Sequence, residues 1–466
     1  MSDNRSREEK LASIKLARAR AKEAREGRNA GQPKAGLSDI KKQEIQLNPV
    51  NSVSSGVYSP GSSIPLIKFD IASSPLPIHL DGDSLRINGK ITVTGATNTG
   101  RNFVDNFGGR FGSCIDTITI SSKRLNQVIE RVNNAWRVAP TVISALHGNE
   151  DINTVLCHEG GHYETTILGR HAMVANDGTK GQAFSSRLFA GVLASGQALD
   201  ISDSGFGGLV IEILLKPNVS YCFGADAATA QATYEVSDLQ LTACLYQKPT
   251  APPKAQSFAF NSLSTIFQTV NSSTSVVALT PGLKQVSSII TNFMNANEIG
   301  NQNFNSGRLG NIGQLRALRY SINGQLDPLQ YRLLTDEENN DALAPANQLH
   351  RARCMVDRNY LESVNIRRYS EVGRCVNAWN NWNAGVVDRS QTANNNGCEQ
   401  GTTAGFGILY DSYGTGKDLS QTVFSFELEA SGTDLDGTAA TAQGAYMIFL
   451  NKNEVLMSPG GIQIKK

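Results

Sequence analysis

The chain's one match to a catalytic spacing is His158-Glu159-Gly160-Gly161-His162, which fits the pattern HExxH. In metalloproteases that spacing sets two imidazoles on one face of a helix, and the glutamate polarises a zinc-bound water. The chemistry therefore needs a helix, and two central glycines cost roughly 1 kcal/mol each against alanine in a helix interior. No third ligand stands at the metzincin spacing: Thr165 and Leu168 occupy those places, and His171 comes three residues late. A distant glutamate or Cys157 could complete a metal site, but the stretch itself reads as a polar loop.

Other chemistry-bearing residues are weaker. Gly95 and Gly100, followed by Arg101, mimic the glycine spacing of a phosphate loop, yet the Lys-Ser/Thr that would hold phosphate and magnesium is missing. Asp81 and Asp83 flank Gly82, and Glu337 adjoins Glu338, in contexts that read as solvated turns. Neither pair has a glycosidase-like separation. Asn218-Val219-Ser220 and Asn271-Ser272-Ser273 fit glycosylation sequons, which carry meaning only for a secreted chain. Trp136, Trp379 and Trp382 read as packing residues, although Trp379 and Trp382 in NAWNNWNAG could sit on a ligand-facing loop. Seven cysteines (Cys114, Cys157, Cys222, Cys244, Cys354, Cys375 and Cys398) show no CxxC spacing and read as unbridged thiols of a reducing compartment. No metal, no cofactor and no catalytic group is expected.

The elements that would have to position such residues are strands. The 466 residues are 40% hydrophobic, enough to bury real cores, and 18% charged, below the roughly 25% of soluble domains. From Ser59 onward the period is two. Leu85, Ile87, Ile91 and Val93 alternate with Arg86, Asn88, Lys90, Thr92 and Thr94, as in a half-buried strand. Ile118 and Ile120 continue the pattern. Leu125, Val128, Ile129, Val132 and Trp136 then fall at helical spacing, so a helix capped by Ser122 is expected, with Pro140 stopping it or starting a second short helix. Strands resume with Leu209, Ile211, Ile213 and Leu215, and again with Leu239, Leu241, Ala243 and Leu245.

KPTAPPK at 248–254 excludes both helix and central strand and reads as a domain boundary. Beyond it Leu318, Tyr320 and Ile322 alternate up to Asn323-Gly324, a helical segment lies near Gln348–Arg368, and Phe424, Phe426, Leu428 and Ala430 form a strand. Tyr446, Ile448 and Leu450 form another. INGK (87–90) echoes INGQ (322–325), and SGFGGLVIEI (204–213) echoes AGFGILYDSY (404–413), which points to a duplicated sandwich.

The net charge of +1 makes the whole chain no magnet for nucleic acid, but Arg5, Arg7, Lys10, Lys15, Arg18, Arg20, Lys22, Arg25 and Arg28 concentrate charge at one end. A helix-forming stretch from about Arg7 to Arg25 carries only a thin stripe of Leu11, Ile14 and Ala17, so it reads as an arm, solvated or bound to a polyanion or a neighbouring subunit. The N-terminus lacks an apolar signal core, and no run approaches the roughly 20 apolar residues of a membrane span.

Taken in order, these segments resemble the major capsid proteins of the double jelly-roll lineage, which includes adenovirus hexon, the membrane-containing tailless phages, virophages and the polinton-like viruses. IPLIKFDI (64–71) and DGDSLRINGKITVTG (81–95) look like that lineage's opening strands. The run from Asn106 to Leu146 looks like its glycines, strand and helix, and the run from Arg187 to Lys216 like its next two strands. YEVSDLQLTACLYQK (234–248) is similar to the strand closing the first roll, and the run from Phe406 to Ser431 to a late pair of the second. The charged arm is longer than in many members.

The resemblance implies an all-β chain of two tandem eight-stranded jelly-roll β-sandwiches with short interstrand helices. Residues 1–50 would be the basic arm, 51–248 the first roll, 249–256 a proline-rich linker and 257–466 the second roll. It also implies pseudo-hexagonal homotrimers tiling an icosahedral shell, with neighbouring trimers and penton or minor capsid proteins as partners. The arm would meet genome, inner membrane or a neighbour, and the product would be a virion component made in the host cytoplasm or nucleus. No enzymatic activity and no small-molecule substrate are implied. The competing readings are a tandem β-sandwich that binds carbohydrate or a host surface, and a zinc hydrolase at His158, Glu159 and His162.

Overall fold

Alternation of β-branched and aromatic residues with polar ones does build strands along both halves of the chain. The computed structural model describes residues 41–51, 56–61, 65–94, 111–138, 182–195, 197–217, 233–247, 256–270, 273–295, 315–326, 331–332, 406–409, 416–431, 443–458 and 461–465. In the first half the strands are β1 (Lys41–Leu47), β2 (Leu66–Ile71), β3 (Ile78–Thr94), β4 (Ile115–Ser122), β5 (Gln127–Asn133), β6 (Gln182–Ser186), β7 (Ala198–Asp200), β8 (Leu209–Leu215) and β9 (Thr233–Gln247). They form a first sheet in the order β1-β9-β3-β6, with β7 also on β3, and a second in the order β2-β8-β4-β5. All named pairings are antiparallel.

The second half repeats the scheme with β10 (Gln256–Val270), β11 (Ser273–Leu279), β12 (Val286–Asn295), β13 (Leu315–Ile322), β14 (Gln325–Leu326), β15 (Tyr331–Arg332), β16 (Phe406–Leu409), β17 (Phe424–Ser431), β18 (Gln443–Ser458) and β19 (Gly461–Lys465). A third sheet runs β10-β18-β12-β16 with β19 on β18, and a fourth runs β11-β17-β13-β14 with β15 on β13. The orders coincide position for position. β10 takes the place of β1, β18 of β9, β12 of β3 and β16 of β6; β11, β17, β13 and β14 stand for β2, β8, β4 and β5. Consecutive strands such as β2 and β3 fall in opposite sheets, which is the Greek-key wiring of a jelly roll. Two jelly rolls in tandem are the fold.

One difference between the halves is informative. In the first roll β3 lines β9 along its whole length, with a bulge where Asp81 faces Cys244 and Arg86 faces Thr242. In the second roll that lane is shared by two strands: β12 pairs Asn451–Gln443 of β18, and β19 pairs Ser458–Glu454. The segment Ile78–Asp81 of β3 thus corresponds to β19.

Burial follows the pleat. In β8, Leu209, Ile211, Ile213 and Leu215 point inward, and they meet Leu85, Ile87 and Ile91 of β3 and Leu241 of β9 across the first roll. Each such side chain contributes about 1.5–3 kcal/mol on burial. Tyr320, Phe424 and Phe426 face Ile289, Met447 and Phe449 in the second roll. Residues 444–450 of β18 are buried without alternation, because Ala445, Met447 and Phe449 enter that core while Ile448 and Leu450 enter the cluster shared with the first roll.

The helix expected from Ser122 to Trp136 is instead a β-hairpin. β5 pairs with β4 through a turn at 123–126, closed by Asn126 at φ 50. Apolar residues at 128, 129 and 132 satisfy a short helical pattern and a bulged strand alike, and their β-branched side chains favour the strand. Ser122 ends β4, and its hydroxyl donates to the Phe206 carbonyl at 2.6 Å. Only Ala135–Val138 makes a helical turn there. Asp81 and Asp83 lie in the β3 bulge, within a strand and not in a chain-reversing turn. The arm expected to reach residue 50 ends earlier, since Lys41–Leu47 pairs with Gln247–Leu241, and β10 begins at Gln256, inside the expected linker.

Asn323 and Gly324 (φ 51 and 79) form the two-residue turn between β13 and β14, both in the left-handed region that a type I′ hairpin requires. A Cβ on Gly324 would meet nothing within 4 Å, so only backbone strain opposes it. Gly324→Ala is expected to cost about 1 kcal/mol, read as a lower urea midpoint at unchanged slope.

Candidate functional site: the seam between the rolls

Strand edges carry unpaired backbone groups that must be met by something. β5 is the edge of the second sheet and β10 the edge of the third. Glu130, on β5, is buried and accepts hydrogen bonds from the backbone N–H of Val192 at 2.8 Å and of Leu263, on β10, at 3.0 Å. The Gly191 N–H and the Ser262 hydroxyl also donate to it. Burial pushes its carboxyl above the ordinary range, and these four donors pull the other way. One side chain of the first roll thus ties the chain before β7 to the edge of the second roll.

The backbones approach closely around it. A Cβ on Gly191 would lie 1.7 Å from the carbonyl oxygen of Asn261, and the Gln197 amide donates to the Ala259 carbonyl at 3.3 Å. Phe206 packs edge-on against Phe258 with ring centroids 6.3 Å apart. Elsewhere along the seam Trp136 meets Tyr446, on β18, edge-on at 5.4 Å. The guanidinium of Arg137, 0% exposed, lies 4.8 Å from the Tyr446 ring centroid, and the Lys216 ammonium, 2% exposed, lies 3.7 Å from that of Trp136. Cations held over aromatic faces away from water gain more than exposed ones. Burial raises the Tyr446 hydroxyl, which Arg137 partly opposes; burial likewise raises Tyr234, which donates to the Lys216 carbonyl.

This arrangement is mechanical. Its carboxylate is saturated by donors, and among the described residues no group of three His, Cys, Asp or Glu side chains is placed to hold a metal ion. It joins the two jelly rolls through buried hydrogen bonds and ring contacts. Sequence reasoning missed Glu130, Gly191, Arg137 and Lys216. A signal existed for two of them, a single charge between apolar neighbours in Trp136-Arg137-Val138 and Leu215-Lys216-Pro217; Glu130, followed by Arg131, carried none.

Among the residues singled out from the sequence, Trp136 is a packing residue at 6% exposure, and Cys114 and Cys244 form no disulfide. His158, Glu159 and His162 lie outside the described residues, as do Gly95, Gly100, Glu337, Glu338, Asn218, Asn271, Trp379, Trp382 and the segment near Gln348–Arg368. Arg5, Arg7, Lys10, Lys15, Arg18, Arg20, Lys22, Arg25 and Arg28 also lie outside them.

No known family profile matches the chain, and no curated protein sequence matches it. Solved structures do. The Faustovirus major capsid protein is similar with a TM-score of 0.55 at 9% identity, covering 92% of this chain and 92% of that one. The cryo-EM structure of the Sputnik virophage gives 0.53 at 10% identity, covering 91% and 88%. The mavirus major capsid protein gives 0.50 at 9% identity, covering 93% and 91%. At these identities the likeness is one of fold: the double jelly roll runs over nearly the whole length of each chain.

Proposed function

We propose that this chain is the major capsid protein of an icosahedral virus and assembles as homotrimers of pseudo-hexagonal outline. The observation that carries the reading is the pair of rolls with identical strand order, held in one body by the buried Glu130 seam. Three such chains present six equivalent sandwiches, so a single gene product can tile a surface in hexagonal packing. Likeness to capsid proteins of Faustovirus and mavirus supports this function over other uses of the fold. The role is structural, without catalysis, and its place is the virion shell after synthesis in the host cytoplasm or nucleus. Its partners are its own copies, neighbouring trimers, and penton or minor capsid proteins.

The basic arm, with Arg5, Arg7, Lys10, Lys15, Arg18, Arg20, Lys22, Arg25 and Arg28, points to the shell interior in this reading. There it contacts genome, inner membrane or a neighbour through phosphates or carboxylates, with the salt sensitivity of such contacts. Light scattering on the purified chain is expected to give three chain masses, and negative-stain images a pseudo-hexagonal outline. A monomer at all concentrations sinks the proposal.

A further inference from the structure

We infer that the seam inside each chain is repeated between chains: the β13–β14 hairpin of one copy docks on the outer edge of β1 and on Leu76 of the next copy. The inference rests on the trimer reading and names its contact. Within the chain the seam is heterologous, because different elements meet on its two sides. The giving side is the β4–β5 hairpin: Glu130 lies 3.0 Å from the Leu263 N–H, and Leu125, at its turn, has its Cδ1 3.7 Å from where a Cβ on Gly461 would stand. The receiving side is the edge strand β10 together with the start of β19.

Equivalent strands translate both sides. The second roll's giving side is β14 with the Asn323-Gly324 turn, at the edge of the fourth sheet; the first roll's receiving side is β1, at the edge of the first sheet, with the chain entering β3. Both halves are exposed in the single chain. Leu76, just before β3 and its β19-like segment, is 50% exposed, and Lys41 to Glu44 of β1 are exposed along the strand. Asn323, Gly324 and Gln325 are exposed, and Val423, whose N–H donates to the Asn323 side chain at 3.0 Å, is 49% exposed. Among the described residues each end therefore shows one exposed half of the same contact, each with an exposed apolar side chain. Heterologous contacts of this kind close into rings when the rotation allows. Repeating one roll-to-roll step through three chains closes six rolls.

The test pairs Leu76→Cys with Asn323→Cys in the full chain, treated with a short bis-maleimide. Covalent dimers and closed trimers on denaturing gels are expected, with neither single variant exceeding the background of the native cysteines. In parallel, Leu76→Glu is expected to weaken the trimer about tenfold, and adding Val423→Lys to restore it. Trimers that form without the cross-link and tolerate Leu76→Glu overturn the inference and leave the capsid reading standing. A wild-type chain that never trimerises overturns both.

Discussion

Glu130→Ala is expected to lower the stability of the whole chain by about 4 kcal/mol, the summed effect of stranding buried N–H and O–H donors that each cost about 1–3 kcal/mol when unsatisfied. The donors concerned belong to two rolls: Gly191 and Val192 in the first, Ser262 and Leu263 in the second. Urea unfolding measures the loss, and a change under 1 kcal/mol would refute the tie. Glu130→Gln keeps one acceptor oxygen and the side-chain volume, so it should cost about half as much.

The same pair of proteins tests the charge. Burial raises the carboxyl of Glu130 in the folded state, so the folded chain binds a proton at a pH where the unfolded chain does not. Stability contributed by this group therefore falls as pH rises from the ordinary carboxylate range through the raised value, and is highest below that window. Other carboxylates titrate there too, so the readout is the difference between wild type and Glu130→Gln. That difference should shift in favour of the wild type toward acid. A pH-independent difference would mean that the four donors fully offset burial.

Much of the fold was legible because period-two burial is a local property. β8 and β9 fall where Leu209–Leu215 and Leu239–Leu245 alternate, and the Asn323-Gly324 turn ends β13 where an Asn-Gly pair should. The hairpin at 123–133 reads as a helix because Val128, Ile129 and Val132 fit a period of 3.6 and a bulged period of two alike. Duplication was read correctly from misleading clues. INGK lies inside β3 and INGQ forms the β13–β14 turn, while SGFGGLVIEI covers β8 and AGFGILYDSY covers β16, so neither echo joins equivalent strands. The true repeat is one of strand order, which leaves no trace in residue identity. Glu130 and Gly191 escaped for a related reason: each is defined by what a distant strand, β10, brings to it.

Gly191→Ala is expected to cost about 3 kcal/mol, the upper range for overpacking, because the obstacle is backbone. The new methyl would stand 1.7 Å from the Asn261 oxygen and 2.7 Å from its carbonyl carbon. β10 cannot retreat, since it pairs with β18 from Gln256 to Val270 without a register shift. The first roll has to back away, which lengthens the Glu130 hydrogen bonds and separates Phe206 from Phe258. Gly56→Ala is the matched control: its φ of 65 is left-handed, but nothing lies within 4 Å, so about 1 kcal/mol of strain is all that opposes it. Calorimetry distinguishes the two ways a seam can matter. If the rolls unfold as one unit, Gly191→Ala moves a single transition downward; if each roll unfolds alone, a second transition appears while the second roll keeps its midpoint. The first outcome is the expected one, because Ile448 and Leu450 of the second roll sit in the same buried cluster as Ile118 and Ile213 of the first. A roll-to-roll angle set by the folding core itself is what a subunit needs if three copies are to close a ring.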